Sequence, residues 1–325
     1  RGGIFLCLVL LLLNNLNRIL CVKSPHGVDQ TRYLYVQPKN KIDVLFLGSS
    51  HVHCNVNTQL LWDEYGMAAY LMTGAEQPLW NSYYNLKEAL KTQKPKLVVL
   101  DMFCPSRFYD DFQPGWADEN LDGMRISLNK LEAVYTSVQE EQSHFFLGFT
   151  EYHSRYDQLT TEDFQNFVWN RKTQERWKGY TPLNRHAELT EPDMSHVTTS
   201  QEMTEKSKEY FEKIVELTKK EGIALALISG PYLLEERDQE VYNSIGQLAE
   251  KDGLLFWNTN TPAHYREMGL DFSTDYADHA HLNEAGGAKY TAYLGKWLSQ
   301  NYSFPDRRGQ KGYESWENQL MKSGE

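Results

Sequence analysis

The sequence predicts an α/β fold, a three-layer α/β/α domain around a five-stranded, parallel, doubly wound sheet of the flavodoxin-like kind. Three observations predict it. Short apolar runs rich in Val, Leu and Ile recur along the chain, as expected of strands buried on both faces. Amphipathic stretches of helical period stand between them. The alternation stops after Phe103 and resumes at Gln201, which marks a long insertion.

Taken in order, Ile42-Asp-Val-Leu-Phe-Leu-Gly48 is the first strand, ending in glycine. Thr58 to Tyr65 follows as a helix closed by Gly66, and Ala68 to Met72 as the second strand. Leu79 to Gln93 is helical, with Trp80, Tyr83, Tyr84, Leu86 and Leu90 near a 3.6 period and Pro95 beyond its end. Lys96-Leu-Val-Val-Leu-Asp101 is the third strand. The polar, aromatic-rich stretch of about 104–200 reads as an insertion of short helices over one edge of the sheet, since a structureless loop of that length is implausible. Gln201 to Lys220 is a charged amphipathic helix and Ile223-Ala-Leu-Ala-Leu-Ile-Ser229 the fourth strand. Glu240 to Lys251 is a helix, Leu254-Leu-Phe-Trp-Asn258 the fifth strand, and Asn283 to Gln300 the last helix. Residues 41–303 thus form one domain, preceded by a linker over 23–40 and followed by a polar, loose tail over 304–325.

Composition narrows the function. A net charge of −11 argues against nucleic acid or an anionic lipid surface as the main partner. Eight Trp and twenty Tyr suit a well-filled core, and secondarily a sugar-binding cleft lined by aromatic faces. Cys7, Cys21, Cys54 and Cys104 match no zinc or redox spacing, and Cys54 and Cys104 read as free thiols. At the N-terminus, Ile4 to Leu13 is an unbroken apolar run, followed by Asn14, Asn15, Asn17 and Arg18. A clean membrane span needs about 20 apolar residues, so residues 1–22 read as a signal anchor or signal-peptide remnant. With no Ala-x-Ala-like site after the run, an uncleaved anchor is preferred. The chain opens on Arg1 rather than Met, and a start further upstream is expected.

Two stretches could carry chemistry. Gly48-Ser49-Ser50-His51 follows the first strand, where a doubly wound sheet places reactive groups. A serine hydroxyl becomes a nucleophile when a base takes its proton, and a strand-to-helix turn offers N–H groups to a developing oxyanion. By itself, Gly-Ser-Ser is more often a turn or a helix cap. The second stretch, Asp275-Tyr-Ala-Asp278-His-Ala-His281-Leu-Asn283, lies between the fifth strand and the last helix. An Asp three residues before a His can orient that imidazole and stabilise its cation. Asn283 suits the N-cap of the last helix, a role that requires neither Asp278 nor His281.

Together the two blocks resemble the SGNH, or GDSL-like, hydrolase superfamily. That family carries a nucleophilic serine just after the first strand and an Asp-x-x-His pair just before the last helix. Phe46-Leu-Gly-Ser-Ser-His51 is closest to the Gly-Ser-Ser form of DltD-like proteins, which are membrane-anchored and act in acyl transfer to envelope polymers. The resemblance covers roughly Lys41 to Asp101 and Ile223 to Tyr302. It implies Ser50 as nucleophile, His281 as base and Asp278 as the acid, with the N–H groups of Ser50 and Gly74 as oxyanion donors. It also implies a serine esterase or O-acyltransferase that needs no cofactor. The expected substrate is an acylated polysaccharide or other acyl ester. A membrane-bound acyltransferase is a further expected partner, and a bacterial-type membrane, with the domain outside the cytoplasm, the expected location.

The family's third block, Gly-x-Asn-Asp, is absent. Leu100-Asp101-Met102-Phe103 stands in its place, so the usual oxyanion asparagine is missing. A degenerate domain that binds polysaccharide or scaffolds a transferase is therefore one alternative. A metal hydrolase is another, with His51-x-His53, His279-x-His281 and Asp275 or Asp278 as ligands. His51 and Tyr232 are further candidates for substrate contact. Tyr152-His153-Ser154-Arg155 reads more simply as a packed surface helix, and Pro231 as a turn.

Overall fold

The computed structural model describes residues 2–20, 27–108, 111–112, 114–146, 153–165 and 177–317. Its centre is a five-stranded sheet of β1 (Val44–Gly48), β2 (Ala69–Thr73), β3 (Leu97–Asp101), β4 (Ala224–Ser229) and β5 (Leu255–Asn258), in the order β2-β1-β3-β4-β5. Every pairing is parallel. The sequence dictates this through alternation within buried strands. Leu45, Leu47, Val98, Leu100, Leu225 and Leu227 face one apolar layer, and Val44, Phe46, Leu97, Val99, Ala226 and Ile228 face the other. Burial on both faces demands helices on both.

The helices in chain order are α1 (Gly2–Leu20), α2 (Val28–Leu34), α3 (Ser50–His53), α4 (Thr58–Tyr65), α5 (Leu79–Ala89), α6 (Phe103–Arg107), α7 (Ala117–Leu121), α8 (Leu128–Ser137), α9 (Thr161–Gln165), α10 (Glu205–Glu221), α11 (Glu236–Asp252), α12 (Pro262–Met268), α13 (Glu284–Asn301) and α14 (Glu314–Glu317). Helices α5, α10 and α11 cover the first layer with Leu86, Phe211, Ile214, Val241 and Ile245. Helices α4, α12 and α13 cover the second with Leu61, Tyr265, Leu294 and Leu298. Two helix starts differ from the sequence reading, and local polar groups explain both. Thr204 Oγ1 accepts from Ser207 N at 3.2 Å and sets the start of α10. Asp238 Oδ2 accepts from Glu235 N at 3.1 Å, which starts α11 ahead of Glu240.

Three stretches outside the alternation are built into the domain. Within the expected linker, α2 docks on β2 through Gln30, whose Oε1 accepts from Thr73 N at 3.3 Å and whose Nε2 donates to Gly179 O at 2.8 Å. The expected loose tail is a strap as far as Glu317. Arg307 clasps the Asp43 carboxylate at 2.7 and 2.9 Å, and Trp316, fully buried, donates to Ala69 O at 3.0 Å. Its polar composition hid two aromatic anchors, Tyr313 and Trp316. The described part of the insertion carries short helices as far as Gln165 and irregular backbone over 178–200, with α8 lying on α5 through Asn129 Nδ2, which donates to Tyr84 O at 3.0 Å.

Helix α1 carries Ile4, Phe5, Leu6, Leu8, Leu10, Leu11, Leu12 and Leu13 exposed. No helix among the described residues is long and apolar enough to cross a membrane. Cys7, Cys54 and Cys104 are free thiols, and Cys21 lies outside the described residues.

Candidate active site

In this strand order the chain leaves β1 first towards β2 and then crosses back to β3, so the carboxyl ends of β1 and β3 flank the switch point where such sheets bind ligands. Gly48 ends β1 with φ +149°, and a Cβ there would lie 2.4 Å from the Asp101 Cβ at the end of β3. No side chain fits. The closeness lets Asp101 organise the turn: its Oδ2 accepts from Ser49 Oγ at 2.8 Å and Ser49 N at 3.3 Å, and its Oδ1 from Phe103 N at 3.2 Å. Ser49 in turn caps α3, its Oγ accepting from His51 N at 3.2 Å. Ser50 is thereby the first residue of α3, and its N–H, which has no acceptor within the helix, donates to none of the described residues.

Burial pushes the Asp101 carboxyl up to about 6 from an ordinary 3.8, against the downward pull of the bonds from Ser49 and Phe103. The folded state therefore holds this proton more tightly than the unfolded chain. Its contribution to stability is most favourable below about pH 4 and is lost as pH rises through 6, a change of about 3 kcal/mol. Urea unfolding of Asp101→Asn against the parent protein is expected to show that difference grow in the variant's favour between pH 4 and 7. A difference that stays flat would mean that Asp101 ionises as an ordinary carboxyl.

The loop before α13 is built on its own backbone. Ala277 N donates to His281 O at 2.9 Å and Asn283 N to Asp275 O at 2.9 Å, which curls residues 275–283 into a tight turn. Asn283 caps α13 as expected, accepting from Ala285 N and Gly286 N at 3.1 Å each. Inside the turn, Asp278 Oδ1 accepts from Ala280 N at 2.9 Å, from His281 N at 3.0 Å and from His281 Nδ1 at 2.8 Å. Arg185 Nη2 donates to Asp278 Oδ2 at 2.8 Å. His281 Nε2 lies 2.8 Å from Ser50 Oγ. A carboxylate only accepts, so the imidazole proton sits on Nδ1 and the bare Nε2 faces the serine hydroxyl. Burial pushes the Asp278 carboxyl up, but the His281 imidazole, the Ala280 N–H and the Arg185 guanidinium outweigh it. The group stays well below the usual carboxylate range and is an anion at neutral pH.

The structure thus brings together Ser50, His281 and Asp278 from stretches more than two hundred residues apart. Two further features hold them, and the sequence reading named neither. Asn55 Oδ1 accepts from Leu282 N at 3.0 Å, which ties the end of the nucleophile turn to the residue after His281. The return of the insertion laces both halves: Thr181 N donates to His53 O at 2.7 Å, Ala187 N to Tyr276 O at 2.8 Å, Leu189 N to Phe272 O at 2.9 Å, and Glu284 N to Leu183 O at 3.0 Å. Arg185 rides on this segment. Most of these bonds use backbone groups, which no residue pattern reveals.

The other predicted residues fall around this centre. Gly74 follows β2 beside the turn, but its N–H donates to Gly48 O at 3.3 Å, and a Cβ there would lie 2.3 Å from Asn120 Oδ1. Tyr232 is buried, its hydroxyl 3.0 Å from that of Tyr242. His51 is buried with its ring stacked on Phe103 at 3.5 Å between centroids. Burial, and then the neighbouring His281, hold its imidazole well below the usual range. His153 and Arg155 lie in a short 3₁₀ turn remote from Ser50 in sequence, and Tyr152 lies outside the described residues.

The side chains of the metal-site alternative disperse. Residues 50–53 are a helical turn, so His51 and His53 diverge. His53 Nδ1 is 3.2 Å from Thr73 Oγ1, and Asp275 is paired with Lys289 at 2.7 Å. Among the described residues no three His, Cys, Asp or Glu side chains are grouped to hold a metal ion.

No protein-family model matches the chain, and no curated protein matches it in sequence. Among solved structures, that of a candidate acylhydrolase from Bacteroides fragilis aligns over 84% of this chain and 94% of its own, with 13% identity and a TM-score of 0.41. A likeness at that level says nothing of activity.

Proposed function

We propose that this protein transfers acyl groups through an acyl-enzyme on Ser50, as a serine esterase or O-acyltransferase. The observation that carries the reading is the unbroken hydrogen-bond chain from Ser50 Oγ to His281 Nε2 at 2.8 Å and from His281 Nδ1 to Asp278 Oδ1 at 2.8 Å. In the first half-reaction the Ser50 oxygen bonds to the ester carbonyl carbon while its proton passes to His281 Nε2. The carbonyl π bond opens to an oxyanion, which accepts from the unengaged Ser50 N–H. Asp278 holds the imidazole tautomer and balances the imidazolium without taking a proton. Collapse of the adduct expels the alcohol, which takes the proton from His281. Water or a sugar hydroxyl then repeats the sequence on the acyl-enzyme.

The substrate we infer is an acyl ester of a cell-envelope polysaccharide, and the location a bacterial-type membrane with the domain outside the cytoplasm. The apolar side chains that α1 exposes support attachment there. The Gly-Ser-Ser-His form of the nucleophile block supports transfer on envelope polymers through its resemblance to DltD-like proteins. The test is covalent. A fluorophosphonate probe is expected to label the folded protein at Ser50 and to leave Ser50→Ala unlabelled. Folded protein that does not label favours a carbohydrate-binding or scaffolding domain instead.

A further inference from the structure

His51 differs from the other histidines around the site. It is only 2% exposed, yet neither ring nitrogen has a hydrogen-bond partner among the described residues. A neutral imidazole carries one N–H and one lone pair, so both of its valences are unused inside the protein. Buried polar groups are nearly always partnered, and an exception calls for an explanation. The ring is also held in place with care. One face stacks on Phe103 at 3.5 Å with an interplanar angle of 18°. Tyr232 presses on it at 5.0 Å, nearly perpendicular. On the active-site side it meets the His281 ring, 5.5 Å away between centroids, the same ring whose Nε2 holds Ser50 Oγ.

An oxyanion site commonly uses more than one donor, and the donors of the family's second and third blocks are spent or missing. The Gly74 N–H is bonded to Gly48 O. The end of β3 offers no asparagine: Asp101 is committed to Ser49 and Phe103, and Met102 is apolar. The Phe103 side chain, one residue further on, is the plate on which His51 rests.

We propose that His51 is the second oxyanion donor, a neutral imidazole whose N–H is satisfied by the acyl oxygen on Ser50. The inference rests on the acyl-enzyme reading above. The bond to the acyl oxygen forms only once substrate is present, and apo geometry need not display it. Neutrality suits the task. Burial, and then the charge of His281, disfavour a second imidazolium beside the one that forms during the reaction. The ring donates a hydrogen bond and keeps its proton throughout.

The test compares variants that keep the shape with one that keeps a donor. His51→Phe is expected to lower kcat by roughly 10²–10³ with KM changed less than about threefold. Its urea midpoint is expected to equal or exceed the parent's, because an apolar ring removes two unpartnered polar atoms. His51→Gln, which retains an N–H, is expected to stand about tenfold above His51→Leu in kcat. If His51→Phe does not fold, the Gln–Leu pair reads the same difference. His51→Phe with the parent's kcat, Gln equal to Leu, or losses of rate that follow losses of stability would each overturn the proposal. A parent protein that turns over a chromogenic acetyl ester while His51→Phe does so equally well removes only His51 from the mechanism. A parent protein that neither labels at Ser50 nor turns over ester removes the acyl-enzyme with it.

Discussion

Ser50→Ala and His281→Ala are each expected to lower ester turnover by roughly 10⁴–10⁶, and the double variant by no more than the worse single one. The reason is the geometry of the pair. Among the described residues, Ser50 Oγ is hydrogen-bonded to one base, the His281 Nε2 at 2.8 Å. Without that base the hydroxyl is a poor nucleophile, and without the hydroxyl the base has nothing to activate, so the two losses are one loss. Initial rates on a chromogenic acetyl ester, with circular dichroism to verify folding, decide the matter. Losses that multiply would mean that the two residues act separately.

Trp316→Ala is expected to destabilise the fold by about 3–5 kcal/mol, measured by urea unfolding. The indole is fully buried in the strap beyond α13. It stacks with Trp62 at 6.4 Å and meets the tilted ring of Tyr313 at 5.8 Å between centroids, and the Lys178 ammonium lies over it at 4.0 Å. Trp316→Phe keeps most of the packing and loses the bond from Nε1 to Ala69 O, so about 1 kcal/mol is expected from it. A cost below about 1 kcal/mol for Trp316→Ala would show that the strap does not hold the edge of the sheet.

The sheet was legible because its strands are buried on both faces and therefore continuously apolar, as Val44 to Leu47 and Leu97 to Leu100 illustrate. The Ser50 and Asp278–His281 stretches stood out because they sit at strand ends and carry residues that turns and caps do not require. The strap was not legible, since Tyr313 and Trp316 are isolated in polar sequence and no period announces them. Asn55 was hidden for a different reason. Its role is a bond to the backbone N–H of Leu282, and a backbone donor has no residue identity to read. In the sequence Asp101 marks only the absence of a family block, whereas in the fold its carboxyl arranges the turn that presents Ser50.

The lacing of Thr181, Leu183, Ala187 and Leu189 into both halves of the site makes the inserted region a girder rather than an ornament. With Arg185 gripping Asp278 from the same segment, changes that re-shape the insertion also tug on the Asp278–His281 loop. The insertion and the Asp278–His281 loop are mechanically linked in this chain. Grafting the insertion elsewhere, or cutting it back to a short hairpin, dismantles the machinery it was meant only to decorate.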